Sequence, residues 1–285
     1  MNPKTKMRPK FYRHPAIPFI EARESFDSAA CYRPHTHPTL SLGIVDAGTS
    51  VLTLPDRKIP LRVGDIVVID AHVVHACNPP AGSPWSYRML YFDVSWLGAE
   101  VTGPWKTPQR SAESRCVFER LWRRIVEETF PSTGAIRMDV RQLLRRARDD
   151  KAVVANQATD RLQPILRYIA ENCDVPLRLR ALARQFGFSE YQLIRMFRAQ
   201  IGMTPHAYQV DQRVVRAREL LKARTPAADV ACRLGFSDQS HLIRAFKPRV
   251  AATPRQFAQV AGAKSSNLPR RTQGKVAACL PTLPK

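Results

Sequence analysis

The chain has 285 residues, enough for two ordinary domains with some tail, and 44% of them are hydrophobic, which excludes global disorder. Lys and Arg number 45 against 24 Asp and Glu, and the formal charge of +21 points to a polyanion: nucleic acid first, an anionic membrane surface second. A basic surface with no partner is the plainer alternative. No apolar run reaches the ~18 residues of a membrane span, and the basic start MNPKTKMRPKFYRHP lacks the apolar centre of a signal peptide. A cytoplasmic protein with no membrane partner is therefore expected. The cysteines (31, 77, 116, 173, 232 and 279) are scattered, with no Cys-x-x-Cys pair, so neither a zinc framework nor a disulfide scaffold is expected.

In chain order, residues 1–18 form a Pro- and Lys-rich segment that reads as a flexible basic arm. Residues 19–108 carry β signals. LSLGIVDAG, SVLTLP, KIPLRVGDIVVID and SYRMLYFDV are short strand-like runs broken by Gly, Pro and Asp, the pattern of a sandwich or barrel. Gly43, Gly48 and Gly64 sit where turns or bulges are expected. Residues 109–150 turn helical. Val117, Phe118, Leu121, Trp122 and Ile125 recur at helical spacing, as do Ile136, Val140, Leu143, Leu144 and Ala147. Two such helices can cap the β domain or form a dimer seam. Residues 151–159 read as a linker and 160–260 as a helical domain. Residues 261–285, Pro-rich and basic with no acid, read as a disordered tail.

The helical domain carries almost the same string twice. GFSEYQLIRMFR begins at Gly187 and GFSDQSHLIRAFK at Gly235. Each copy reads helix, Gly-centred turn, helix, a duplicated supersecondary unit. Ser189 and Ser237 are the expected N-caps of the two second helices, and Thr204-Pro205 and Thr253-Pro254 open further helices. Helix-turn-helix pairs place the second helix in the DNA major groove; the plain alternative is an αα-hairpin in a bundle. The second helices carry polar and basic groups suited to base edges or phosphates: Tyr191, Gln192, Arg195, Arg198, then Gln239, Ser240, His241, Arg244, Lys247. A joining helix of about 20 residues spans about 30 Å. That is close to the roughly 34 Å between successive major-groove faces.

Residues 160–260 resemble the AraC/XylS-type transcription regulators. GFSDQSHLIRAFK followed by TPRQF is similar to that family's signature region, and RVVRARELL to its connecting helix. The resemblance implies a double helix-turn-helix that binds double-stranded DNA. Tyr191, Gln192, Ile194 and Arg195 match its first base-facing set, and Gln239, Ser240, His241, Ile243 and Arg244 the second. Arg195 and Arg244 are the strongest candidates, because a guanidinium can fork onto guanine or clamp a phosphate. Two positions depart from the pattern. Pro248 follows AFK where the family commonly has a basic residue, so the second recognition helix is expected to end near Phe246. Ala251 replaces the usual Gly, losing an easy left-handed cap.

HTHPTLSLGIVDAG and GDIVVIDAHVVHACN resemble the two cupin strand motifs of that family's sensor domains. His35, His37 and His75 fall where metal-binding cupins place three ligands. The Glu those cupins add after the His pair is absent, with Ser41 and Leu42 in that region. Contacts to an organic effector, a metal site, and ordinary structural histidines are the three readings, with no metal or cofactor preferred. Trp85, Tyr87 and Tyr91 read first as core, with Tyr87 and Tyr91 also candidate effector contacts. The expected whole is an α+β chain of two domains: an N-terminal cupin-like β-barrel with following amphipathic helices, and a C-terminal all-α double helix-turn-helix. It is expected to be no enzyme but an effector-sensing transcription regulator, an activator type, with a small-molecule effector, a homodimeric partner and RNA polymerase implied. Two rivals are a metal-dependent cupin enzyme fused to a DNA-binding domain and an architectural nucleic-acid binder without sequence preference.

Overall fold

The structure, a computed structural model, describes residues 8–98, 103–149 and 157–259. The expected tail 261–285, most of the expected linker 151–159 and the first seven residues of the expected arm lie outside them. Eight strands come first: β1 (Lys10–Tyr12), β2 (Ile20–Ser28), β3 (Thr39–Ala47), β4 (Thr49–Thr53), β5 (Lys58–Arg62), β6 (Ile66–Ile69), β7 (Ala76–Asn78) and β8 (Trp85–Asp93). They form an antiparallel sheet in the order β1-β2-β8-β3-β6 and a second sheet in the order β5-β4-β7. Val45, Leu52, Leu61, Val67, Ile69, Trp85 and Tyr87 fill the space between the sheets. This is the expected β domain.

The sequence reading missed β1, β2 and β7. Lys10–Tyr12 is no flexible arm: it pairs with Ala22–Glu24 of β2, and Phe11 is buried. Gly43 also departs from expectation. It sits inside β3, where a Cβ would collide with the Met89 side chain, so its role is close approach. Gly48 and Gly64 do have the positive φ of turn residues.

A short helix α1 (Val94–Leu97) leads to α2 (Ala112–Val126) and α3 (Thr133–Ala147). Ser111 and Ser132 cap the two long ones through side-chain oxygens. Both expected apolar stripes pack on the outer face of the five-stranded sheet, against Leu40, Leu42, Ile44, Leu90 and Phe92. Their inner faces are spent on capping, so a seam between copies would have to use other residues.

The C-terminal half comprises α4 (Gln157–Glu171), α5 (Leu179–Gln185), α6 (Glu190–Met196), a π-helical turn (Phe197–Ile201), α7 (Pro205–Lys222), α8 (Ala227–Arg233), α9 (Gln239–Val250) and α10 (Pro254–Ala258). Ser189, Thr204 and Thr253 cap as expected; at α9 the cap is Asp238, one residue after Ser237. Helix α9 runs through Pro248 to Val250, four residues past the expected end. Proline removes one ladder bond. Here the last turn is held by burial of Arg249 and Val250, and Arg249 Nη1 returns a hydrogen bond to the Ala245 carbonyl at 2.9 Å. Ala251 adopts the left-handed cap (φ 52°) despite its Cβ.

Candidate DNA-binding face and effector cavity

The two helix-turn-helix units are α5–α6 and α8–α9, joined by α7. Gly187 and Gly235 turn each pair with φ of 73° and 68°. Helix α7 ties the units together from inside. Arg213 donates to the carbonyls of Cys173 (2.5 Å) and Gly235 (2.6 Å), and Gln209 to those of Cys173 (3.2 Å) and Val175 (2.5 Å). The long buried guanidinium thus satisfies carbonyls at the end of α4 and in the second turn together, and fixes their spacing.

On the recognition helices the expected residues separate by depth. Tyr191 (73% exposed), Gln192, Arg195 and Arg198 face outward on the first, and Gln239, Ser240, Arg244 and Lys247 on the second. Ile194, Ile243 and His241 are half-buried. Gln192 also completes a capping box with Ser189, which partly occupies its amide. His241 Nδ1 accepts from the Ser237 amide at 3.4 Å and its ring packs edge-on against Phe236.

The second site lies between the sheets, at the end that meets the C-terminal half. His35, His37, His75, Tyr87 and Tyr91, the predicted set, all line one cavity. Trp85 lines it too, so the three aromatics are core and cavity wall at once. The sequence reading missed Phe11, Arg23 and Tyr32 from the sensor half, and Arg218, Arg249 and Val250 from the other half. Cavity volume is about 40 Å³, room for a few waters.

The imidazoles converge, with ring centroids 4.5 Å apart for His35–His75 and 4.7 Å for His37–His75. His35 Nδ1 lies 2.9 Å from the Arg33 carbonyl and His75 Nδ1 2.9 Å from that of Val73. A carbonyl only accepts, so both Nδ1 atoms carry hydrogen and both Nε2 atoms keep their lone pairs. His37 Nδ1 is 3.1 Å from Ser41 Oγ. Burial, then mutual repulsion and the arginines Arg218 and Arg23, holds His35 and His37 well below the usual imidazole range; burial brings His75 down to about 4. All three are neutral near pH 7. One ligand atom from each lies within 4.8 Å of the other two. The trio fits a three-nitrogen metal site of the kind zinc accepts, with second partners already orienting the rings. Ser41 serves as such a partner, and among the described residues no carboxylate joins the trio.

The halves meet around this cavity. Thr36, between the two histidines, donates from N (3.0 Å) and Oγ1 (2.6 Å) to Asp211 of α7, and Gln212 reaches the same hydroxyl at 3.1 Å. Asp211 faces Arg249 of α9 at 3.4 Å. Glu21 of β2 takes Arg13 (2.7 Å), Arg218 (3.0 Å) and Lys222 (3.1 Å). Burial alone would raise its carboxyl, but Lys222, Arg218 and Arg13 hold it down at about 2. The Arg33 amide donates to the Pro248 carbonyl at 2.8 Å, and Phe11 packs edge-on against Phe257 at 5.0 Å.

A β domain enclosing a polar-lined cavity, joined to two helix-turn-helix units, defines a ligand-responsive DNA-binding protein. Comparison with known proteins agrees. Residues 21–162 match the AraC-like ligand binding domain and 182–259 a helix-turn-helix domain. The chain belongs to the AraC family of transcription regulators. It is 24% identical over 232 residues to the arabinose operon regulatory protein of Escherichia coli, covering 76% of this chain and 79% of that one. It is 27% identical over 249 residues to the transcriptional activator RhaR of Klebsiella pneumoniae, covering 80% and 88%. Crystalline ToxT from Vibrio cholerae shares the two-domain fold at 11% identity, with a TM-score of 0.58 over 90% of this chain and 98% of that one. Among the described residues no helix is long and apolar enough to cross a membrane.

Proposed function

We propose that this regulator works in the cytoplasm, as a homodimer, as an effector-controlled activator without enzymatic activity. The observation that carries the control is the shared lining of the cavity. Arg218, Arg249 and Val250 belong to the DNA-binding half, yet they close a space whose other walls are sensor residues. An occupant larger than a few waters displaces that wall, so binding there and docking of the halves compete. A ligand shifts an equilibrium only through such a difference between states.

In this reading His35, His37, His75, Tyr87 and Tyr91 contact the effector. Tyr191, Gln192, Arg195, Gln239, Ser240 and Arg244 read base edges with Ile194, His241 and Ile243 beneath them, and Arg198 and Lys247 hold phosphates. Residues 19–108 form the sensor, 109–150 its cap, and 160–260 the DNA-binding domain. Homodimer formation is favoured by apolar groups left out on the cap, Phe130 at 91% exposure and Met138 at 69%, and by the avidity of two linked modules. RNA polymerase is the partner an activator needs, as the relatives named activators imply. The enzyme rival lacks the carboxylate it would place beside Ser41.

The test is selection of bound sequences from random DNA by the full chain, repeated with small molecules added. A preferred site containing two major-groove segments about one turn apart, with affinity that changes on ligand addition, supports the reading. Binding without sequence preference at moderate salt overturns it in favour of the architectural rival.

A further inference from the structure

Polar atoms around the cavity do not balance. Arg23 is 4% exposed and pairs with no carboxylate among the described residues. Its Nη2 donates to the Tyr32 hydroxyl at 2.6 Å, while its Nε has no partner. Trp85 Nε1, on a side chain 4% exposed, is also without an acceptor. Arg249 Nε also makes no hydrogen bond, but it faces an equally unbonded acceptor, Asp211 Oδ1, at 3.4 Å, so those two offset each other. All three side chains line the cavity. Buried donors left unmet are costly, and a buried guanidinium without a counter-charge more so. The surplus is of donors and of positive charge.

We infer that the cavity's ligand is a small organic monocarboxylate with a flat, unsaturated or aromatic body. The inference rests on the reading of this cavity as the effector site and names the chemistry it selects. A carboxylate supplies the acceptors that Arg23 and Trp85 lack, and it matches the planar fork of a guanidinium. A single guanidinium fork with no carboxylate in reach favours one planar carboxylate over the tetrahedral head of a phosphate monoester. Arg13, Arg218 and Lys222 are already committed to Glu21, and Arg249 to Asp211. Of the arginines that line the cavity, Arg23 is the one with no carboxylate partner among the described residues. The body follows from the walls: Trp85 and Tyr87 stack at 4.2 Å and 27°, with Phe11, Tyr91 and the three imidazoles completing an aromatic surface. Flat rings offer their faces to a flat partner.

The test uses the full-length protein and a library of small aryl and alkenyl monocarboxylic acids, such as cinnamate and sorbate, each matched to its primary amide. Binding is read by calorimetry and by thermal shift. The expected hits are acids that bind at least tenfold more tightly than their amides. Arg23→Met should abolish that preference, Arg23→Lys should keep some of it, and Trp85→Phe, which deletes one orphan donor while keeping a ring, should weaken acids more than amides. A structural role for Arg23 would not follow the charge of the ligand. Hits in which amide and acid bind alike, or an acid preference that survives both Arg23→Met and Trp85→Phe, overturn the carboxylate and leave the cavity as effector site. Absence of any hit in either set, with the cavity's Tyr87→Ala variant behaving as the parent, overturns the effector reading itself.

Discussion

The two helix-turn-helix units are near-copies in sequence, yet they are built into the molecule differently. The first unit meets the sensor half through apolar packing: Val74 joins the core of Leu162, Leu193, Phe197 and Tyr208. The second meets it through directed bonds, from the Arg33 amide to the Pro248 carbonyl and from Arg13 Nη1 to the Phe257 carbonyl, and through Phe11, which sits in its core beside Leu242, Phe246 and Phe257. Apolar contact tolerates small shifts, whereas buried hydrogen bonds and ion pairs have one good geometry. The second unit is therefore the more closely registered against the sensor half, and Val250 makes it a piece of the cavity wall.

Removing Phe11 should break this asymmetry most severely. The ring is 1% exposed and packs with Phe257, so Phe11→Ala should cost about 3–5 kcal/mol of stability, as large-to-small core changes do. Chemical denaturation measures it. A loss under about 1 kcal/mol would mean that β1 is not anchored in the second unit.

Next come the paired glycines. Both turns need positive φ, and an L-residue there costs about 1–2 kcal/mol. At Gly187 nothing lies within 4 Å of a would-be Cβ, so Gly187→Ala should cost only that. At Gly235 a Cβ would run into the Asp174 carbonyl oxygen, a backbone atom that Arg213 also holds. Gly235→Ala should therefore add overpacking of about 1–3 kcal/mol. Equal melting temperatures for the two variants would contradict the difference in their surroundings.

At the DNA face the units should be equivalent. Helix α9 continues past Pro248, so Arg244 and Lys247 stand on an unbroken helix. Arg195→Ala and Arg244→Ala should each cost about 1–3 kcal/mol and relax preference at separate base pairs. A uniform loss over all sequences for either variant would reassign that arginine to a phosphate.

How much of this is legible in the sequence depends on range. The stripes of α2 and α3 and the repeated Gly-Phe-Ser turns are local and periodic, and they can be read residue by residue. Strand β2, IEARESFDS, cannot. Glu21, Arg23 and Glu24 are buried on it, so the polar–apolar alternation that marks a strand is erased by charged groups whose partners come from elsewhere. The same long-range pairing hides half the cavity: Arg218 and Arg249 read as solvated helix residues until Glu21 and Asp211 are placed beside them. The continuation of α9 through proline is hidden for a related reason, since burial against the sensor half outweighs a local penalty. The three histidines are legible because their spacing falls in two recognisable motifs.

The smallest expected effect concerns the charge cluster that holds α7 to β2. Glu21 is 4% exposed, and the groups facing it are Arg13, Arg218, Lys222 and, opposite it on β8, Tyr91. Its carboxyl sits at about 2, below the ordinary 4.5. A lowered acid binds protons less in the folded state than in the unfolded one, so its contribution is complete above about pH 4.5 and fades as pH falls toward 2. Lys222 remains 39% exposed, so solvent screens some of the gain. Glu21→Gln should accordingly lower the melting temperature by a few degrees at pH 7, the scale expected for about 1 kcal/mol in a chain this long. The gap between parent and variant should hold to about pH 5 and narrow below it, because protonation then makes the parent resemble the amide. The remaining acid sensitivity belongs to other groups and is common to both proteins. A gap that widens on acidification would mean that Glu21 is held neutral, and that the three cations around it are paired elsewhere.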